Sequence, residues 1–501
     1  MNDRGIVAVV GAGTMGRGIA QVAATAGFTV LLYDARPEAV TVALERIEAS
    51  LQRARERGRL AQAPEEVLGR IRPVADLAGL ASAGWVIEAV PEELELKRRL
   101  LAELGAENPR AVLASNTSTL SITALARGVP GPERVLGLHF FNPAPRMPLV
   151  EVIPGVETHP EVLGRAVAFV RELGKEPVVA KDRPGFIVNR IARPYYGEAL
   201  VLAGDGVPFA TIDRILRGLG FPMGPFELMD LIGLDVNFAA TKSVWEQSFY
   251  LSRYRPHPLQ AERVAAGWLG QKTGRGFYAY PREPEPEPEL PEPHPLAVHL
   301  VGGGPLAGIL ASRLAPTAPE EADLIVDLRV SLGEKAYPEG VPPGRPVLTL
   351  AWAHSASLAR PRYPEARGVY GFSLVPPYAA GQPMELLAPE GEEVPPWLAG
   401  FARALGFTPV VLPDQPGGVA FRILAMLANE AFSALREGLA EAETLDRAME
   451  LGTRYPRGPL AWAELFGLPA LVAGLRGLKD ELGEERYRPD PLLVRRAAVG
   501  E

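Results

Sequence analysis

The sequence predicts a doubly wound α/β domain, then an all-α helical domain, then a degenerate, shortened second copy of both. Three observations carry this reading. An apolar run enters a glycine-rich turn at the amino terminus. Short apolar strands then alternate with helical segments to about residue 183. The same motifs recur in weakened form after a Pro/Glu-rich stretch.

The opening strand Ile6–Val10 runs into Gly11-Ala12-Gly13-Thr14-Met15-Gly16, and helical periodicity follows through Ile19, Ala20, Val22 and Ala23. A bare G-x-G-x-x-G says little in a chain with 52 glycines. With a strand before it and a helix after it, it reads as the dinucleotide turn of a Rossmann-type domain. Gly11 permits the tight turn, Gly13 leaves room for a pyrophosphate, and Gly16 lets the helix pack on the strand. Thr14 and Met15 open that helix, whose first N–H groups suit phosphate. The next apolar run, Thr29–Tyr33, ends at Asp34. A carboxylate there can bond a ribose 2′-hydroxyl and repels a 2′-phosphate, which favours NAD over NADP, although Arg36 could soften that preference. The plainer alternative is an ordinary α/β turn, with Asp34 capping the next helix.

A charged, amphipathic helical region follows near Pro37–Arg72. Then come the apolar strand Trp85–Val90, a helix from about Glu92, and short strands at Ala111–Ser115, Val135–His139 and Leu149–Ile153. From Gly185 to about Tyr280 the pattern is helical, broken at Gly224-Pro225. The segment Pro281–Pro295 alternates Pro and Glu, which disfavours helix and sheet and predicts an extended spacer. The expected division is 1–184 for the nucleotide domain and 185–280 for a helical substrate and dimerisation domain. Residues 281–295 form the linker, 296–414 a truncated Rossmann-like domain without catalytic residues, and 415–501 a second helical domain.

The second copy is recognisable by its motifs. Gly302-Gly303-Gly304 repeats the opening turn, with Ala307 in place of the third glycine. Gly371–Pro377 repeats Gly137–Pro143, and Asp414–Arg422 repeats Asp182–Arg190. Between turn and strand this copy is shorter by roughly 57 residues, so it lacks the counterpart of Asp34 and of the charged helices. Dinucleotide binding is not expected of it.

Composition bounds the function. The formal charge of −8 argues against nucleic acid or an anionic membrane as the main partner. The absence of cysteine excludes disulfides, thiolate catalysis and Cys-ligated zinc, and no metal site is expected. No apolar run approaches a membrane span, and the chain enters a strand by residue 6, so a cytoplasmic protein is expected. Lysine is confined to seven positions, so arginine carries most of the positive charge. Fifty prolines without cysteine would suit a heat-stable protein, but a GC-rich genome gives the same arginine bias.

The chemistry falls at strand ends, where open α/β sheets bind ligands. Asn116-Thr117-Ser118 follows one strand, and His139 and Asn142 follow another. Glu151 lies on the next strand, after a Pro-Ala-Pro turn. A histidine and a glutamate on adjacent strands can pair through Nδ1, leaving Nε2 free as a base for alcohol oxidation. Ser118 and Asn116 could equally serve a turn or a helix cap, and Lys97 could be a surface lysine. Asn189 stands in an otherwise apolar helix, where it needs a partner: a substrate carbonyl or a backbone one.

The opening turn, Glu88–Glu92, Ser115–Ser118, His139–Pro143 with Glu151, Pro184–Arg190, Gly224–Leu228 and Gly274–Tyr278 together resemble one family, the L-3-hydroxyacyl-CoA dehydrogenases, particularly the 3-hydroxybutyryl-CoA type. The match is dense over residues 1 to about 280. The longer two-copy layout resembles bacterial members linked to phenylacetate breakdown, whose substrate is 3-hydroxyadipyl-CoA. The resemblance implies NAD-dependent oxidation of an (S)-3-hydroxyacyl-CoA to the 3-oxoacyl-CoA. His139 would be the base and Glu151 its orienting partner. Ser118 and Asn189 would hold the substrate, and Asn142 would lie near the nicotinamide. Glu92, Lys97 and Asn116 would contact the cofactor, with Asp34 on the adenosine ribose. Ser50 and Arg57, on the charged helices, would hold coenzyme A; Arg57 stands where the family often has lysine. The arginine run Arg53, Arg55, Arg57 and Arg59 suits CoA phosphates, or is a solvated helix face.

In the second copy Ser373 replaces the histidine, Pro376 the asparagine after it and Phe421 the helix asparagine, so no catalysis is expected there. Family members pair through their helical domains. The expectation is therefore a homodimer, or a pseudo-dimer in which the second helical domain packs on the first in cis. Two other functions compete: a dehydrogenase of the same fold acting on the sugar acid L-gulonate, and a redox-silent NAD-binding or scaffold protein.

Overall fold

The computed structural model describes residues 5–283, 289–332, 336–339 and 341–500. They form two compact units. The first is Met1–Arg190 with Glu437–Thr453, and the second is Ile191–Arg436 with Arg454–Glu501.

In the first unit the chain runs β1 (Ile6–Val10), α1 (Thr14–Thr25), β2 (Thr29–Tyr33), α2 (Pro37–Glu56), α3 (Pro64–Leu68), β3 (Ile71–Pro73), β4 (Trp85–Glu88), α4 (Leu94–Glu107), β5 (Val112–Ser115), α5 (Ile122–Ala126), β6 (Val135–Phe140), β7 (Leu149–Pro154), α6 (Pro160–Glu172), β8 (Glu176–Val179) and α7 (Val188–Ile191). The strands order as β3-β2-β1-β4-β5-β6-β7-β8. Period-2 alternation sends Val7 and Val9 into the core under α1, α2 and α6, and Ala8 and Val10 into the core under α4 and α5. The sheet is parallel except where β7 runs antiparallel to β6. The 141–148 connection is too short for a crossover, so the chain must fold back as a hairpin.

The second unit begins with α8 (Arg193–Gly204), α9 (Phe209–Gly218), α10 (Pro225–Ile232), α11 (Leu234–Gln247) and α12 (Pro258–Ala265). Within the linker, 281–283 and 289–295 hold no helix or strand, and 284–288 lie outside the described residues. Then follow β9 (Val298–Val301), α13 (Pro305–Arg313), β10 (Leu324–Asp327), β11 (Val347–Leu350), α14 (Ala356–Ala359), β12 (Val369–Ser373), β13 (Pro383–Leu387), α15 (Pro396–Ala404), β14 (Thr408–Leu412) and α16 (Ala420–Arg436). Helix α17 (Ala442–Thr453) belongs to the first unit, while α18 (Pro459–Phe466), α19 (Leu468–Leu482) and α20 (Pro491–Val499) close the second. The second sheet, β14-β13-β12-β11-β10-β9, repeats the first without counterparts of β2 and β3, the segment that carries Asp34 and the charged helices.

Helix α8 of the first helical domain packs on α16 of the second. Glu198 accepts bonds from Arg422 (2.7 and 2.9 Å) and from the Tyr487 hydroxyl (2.6 Å). In return Glu430 on α16 accepts from the Tyr254 hydroxyl. Equivalent residues of the two copies therefore contact each other in reverse, as across a two-fold axis. Both partners of each pair are buried, so removing one would strand the other's charge or hydroxyl.

Candidate active site

Antiparallel pairing of β6 with β7 sets His139 directly opposite Glu151. His139 Nδ1 lies 2.6 Å from Glu151 Oε2, and both side chains are buried. A carboxylate on Nδ1 selects the Nδ1–H tautomer and leaves Nε2 as the basic nitrogen. The other Glu151 oxygen, Oε1, accepts the backbone N–H groups of Ile187 (2.9 Å) and Val188 (3.0 Å). Gly185 and Phe186 are both left-handed, at φ +77° and +48°, and this turn aims those two N–H groups back at β7. Bonds from both sides fix the carboxylate, which in turn fixes the imidazole. The Phe141 and Phe186 rings flank His139 at 4.5 and 5.9 Å.

The strand ends converge here. Asn116 Oδ1 accepts the Phe140 N–H at 2.9 Å, tying the end of β5 to β6 beside His139. Asn189 follows the two residues that hold Glu151, and its Nδ2 is 3.4 Å from the Ser118 carbonyl oxygen. Asn189 is half-buried, not buried as the apolar helix suggested. Hydrogen bonds thus run from His139 to Glu151, from Glu151 to the segment that carries Asn189, and from Asn189 to Ser118. Asn142 is exposed two residues beyond β6, and the cap of α5 is Ser121 rather than Ser118.

Glu92 accepts from the Ser118 N–H (2.9 Å), the Thr119 N–H (3.1 Å) and the Thr117 hydroxyl (2.6 Å). Burial acts to raise its pKa, but Lys97 and these donors outweigh burial and hold it below the ordinary glutamate value. Lys97 is not a surface lysine: it is 1% exposed, and its ammonium bonds Glu88 (2.9 and 3.0 Å) and the Val90 carbonyl (3.1 Å), with Glu92 at 3.3 Å. Burial raises the Glu88 carboxyl against the pull of Lys97 and of the Ser115 hydroxyl. Lys97 therefore ties the end of β4 to the Glu92 loop that holds Ser118.

The glycine turn fits a dinucleotide. A Cβ on Gly11 would come within 2.7 Å of the Ala89 carbonyl, and one on Gly16 would collide with the Gly11 carbonyl at 1.7 Å, so both positions require glycine. A Cβ on Gly13 would meet nothing within 4 Å, and no side chain caps the α1 N-terminus that Thr14 and Met15 begin. Open space beside uncapped N–H groups is what a pyrophosphate needs. Asp34 Oδ2 accepts the Ala12 N–H at 2.8 Å, which places the carboxylate against the turn at the end of β2.

A cavity of about 450 Å³ is lined by Ser50, Arg53, Arg57, Arg59, Arg146 and Lys175 among others. Ser50 and Arg57, expected to hold coenzyme A, thus share one cationic wall. Arg55 turns away to bond the Leu60 and Ala61 carbonyls. Arg146 and Lys175 were not singled out in the sequence. Lys175 donates to the Ala144 (2.7 Å) and Met147 (2.8 Å) carbonyls, and burial lowers its pKa to about 8. Its scarcity in an arginine-rich chain is the only signal that could have marked it.

The second copy keeps the frame and has no imidazole in it. Ser373 pairs with Glu385 in the register of His139 with Glu151, and Glu385 accepts the Val419 (2.9 Å) and Ala420 (2.8 Å) N–H groups. With no imidazole beside it, burial pushes Glu385 up to about 7. Trp352 stands where strand register places the counterpart of Ser118, and stacks on Phe421 with ring centroids 4.9 Å apart. Phe466 closes on both rings, so the place that matches Ser118 and Asn189 is filled with aromatic carbon.

Among the described residues no group of three or more His, Asp or Glu side chains could hold a metal ion, and no helix is long and apolar enough to cross a membrane. Residues 6–183 match the model of the 3-hydroxyacyl-CoA dehydrogenase NAD-binding domain, and 185–280 and 417–501 both match the C-terminal domain of that family. The chain is 39% identical to a 3-hydroxyadipyl-CoA dehydrogenase of Escherichia coli, over 98% of this chain and 97% of that one. The crystal structure of a 3-hydroxybutyryl-CoA dehydrogenase from E. coli K12 superposes with a TM-score of 0.84 at 37% identity, covering 100% of this chain and 99% of that one. An (S)-3-hydroxybutyryl-CoA dehydrogenase from Ralstonia eutropha is similar to a single copy: 39% identity, TM-score 0.53, 55% of this chain and 99% of that one. The chain belongs to the 3-hydroxyacyl-CoA dehydrogenase family and is an NAD-dependent oxidoreductase.

Proposed function

We propose that the first copy oxidises short-chain or ω-carboxylated (S)-3-hydroxyacyl-CoA esters to 3-oxoacyl-CoA, with His139 as general base. The observation that carries this reading is the His139–Glu151 pair at 2.6 Å on adjacent strand ends. His139 Nε2 takes the hydroxyl proton, and Glu151 stabilises the imidazolium that forms. Ser118 and Asn189 bond the hydroxyl and the thioester carbonyl, and so orient the carbon that loses hydride. NAD, when bound, supplies the hydride acceptor. Gly11, Gly13 and Gly16 with Thr14, Met15 and Asp34 would hold it, Asn116 and Asn142 would line its nicotinamide end, and Glu92 and Lys97 would set its ribose side. The cationic wall of Ser50, Arg57 and their neighbours takes the phosphates of coenzyme A.

That wall favours CoA esters over a free sugar acid such as L-gulonate, and the intact His–Glu pair speaks against a redox-silent binder. The relative named for 3-hydroxyadipyl-CoA aligns along nearly the whole chain, which supports an ω-carboxylated substrate. Steady-state kinetics over four- to six-carbon 3-hydroxyacyl-CoA esters, with and without an ω-carboxylate, tests the proposal, with free L-gulonate as the control. CoA esters should turn over and the free acid should not; turnover of the free acid alone would overturn it.

A further inference from the structure

Helix α17 comes from the second copy, yet it folds into the first unit, against β7 and β8. The approach is close. A Cβ on Gly452 would stand 2.9 Å from both Leu149 Cδ2 on β7 and Val188 Cγ2 on α7. In the turn that leads into the helix, Glu437 Oε2 pairs with Arg190 Nη1 at 2.7 Å, and Arg190 is buried. The Leu439 carbonyl accepts the Lys181 N–H at 3.1 Å. Arg447 makes two bonds to Glu176 on β8, at 2.9 and 3.0 Å. These contacts bracket residues 187–189, the segment that supplies two N–H groups to Glu151 and carries Asn189.

The first copy does the same to the second sheet. Gly218 on α9 would place a Cβ 2.6 Å from Pro383 Cγ, at the first residue of β13, just as Gly452 meets the first residue of β7. A glycine at the matching point of both helices marks the close approach as a built feature of each.

We propose that α17 and the 437–439 turn are a positioning element for the reaction of the first copy, holding segment 187–190 so that Glu151 and Asn189 stay in register with His139. This inference rests on the proposed function, since it concerns the same base. Gly452, Glu437 and Arg190 touch no reacting atom. They act through Val188 and its neighbours, and the half of the chain that lacks a base thereby contributes to the half that has one.

The test uses the full chain with Gly452→Val, Gly452→Ala and Glu437→Gln, assayed for NADH oxidation with acetoacetyl-CoA. Gly452→Val should lower kcat by about tenfold or more, because sub-ångström displacements of reacting groups are costly. NADH affinity, set at the β1 turn, should stay within about twofold of the parent. Adding Val188→Ala, which clears the contact on the α7 side and leaves the one with Leu149, should return part of the lost kcat. Glu437→Gln should lower kcat without changing NADH affinity. A folded Gly452→Val protein with parental kcat, or a loss that Val188→Ala does not relieve, overturns the proposal. If Gly452→Val does not fold, Gly452→Ala and Glu437→Gln decide, and parental kcat in both overturns it. His139→Ala is run beside them. If it keeps parental turnover, the base assignment fails; if it is inactive while the α17 variants are parental, only the positioning role fails.

Discussion

Two glutamates at equivalent positions separate framework from chemistry. Glu151 and Glu385 each take two backbone N–H groups at the start of a helix, but only Glu151 also faces an imidazole. The carboxylate therefore has a structural task in both copies, and under the proposed function the histidine adds to it the task of an orienting group. His139, Glu151 and the glycine turn were legible because they are polar or small residues at the ends of apolar strands. The buried state of Lys97 was not, because its partner Glu88 lies in another element and an isolated lysine on a helix reads as exposed. Lys175 gives a prediction at this scale. Its ammonium braces the turn that carries Arg146 and faces the cavity. With a pKa lowered to about 8, it is charged below that pH and neutral above it. The KM for acyl-CoA should rise as pH passes upward through about 8, and Lys175→Met should show a raised KM without that rise. Steady-state titration from pH 6.5 to 9.5 measures it.

At the scale of elements, many strand and helix positions followed from period and turn chemistry, whereas the order of the strands and the hairpin at β6–β7 came only from the structure. The aromatic filling of the second copy could not be read before registers were known, since Trp352 and Phe421 are distant in sequence and meet only when β11 and α16 are placed. Trp352, Phe421 and Phe466 form one stack, and a Cβ on Gly474 would already overlap the Phe421 ring at 2.2 Å. Phe421→Ala should therefore cost about 3–5 kcal/mol of stability. It should leave NADH affinity unchanged, because the dinucleotide turn belongs to the other unit. Chemical denaturation and NADH fluorescence titration check both parts.

At the scale of the molecule, two copies of one plan have taken different roles. The second lost the strands and helices that would bind the ribose and coenzyme A, kept its helical domain, and sends α17 into the first unit. The two-copy plan was visible in the sequence as repeated motifs. That a helix of one copy folds with the sheet of the other was not, because it depends on packing between residues as far apart as Glu176 and Arg447, 271 positions, which no local periodicity encodes. The reversed Glu198–Tyr487 and Glu430–Tyr254 pairs across α8 and α16 support an intramolecular pseudo-dimer. A chain ending at residue 282 would expose the α8 face that α16 covers, and should self-associate in sedimentation at micromolar concentration. A stable, fully soluble monomer would contradict this.

The central claim is that one imidazole, steered by Glu151, moves the proton. Its most direct test is NADH oxidation with acetoacetyl-CoA by the parent and by His139→Ala, with NADH binding measured in both. The expected result is a kcat lower by about 10²–10⁴-fold with unchanged NADH affinity. Equal rates in the two proteins would contradict it.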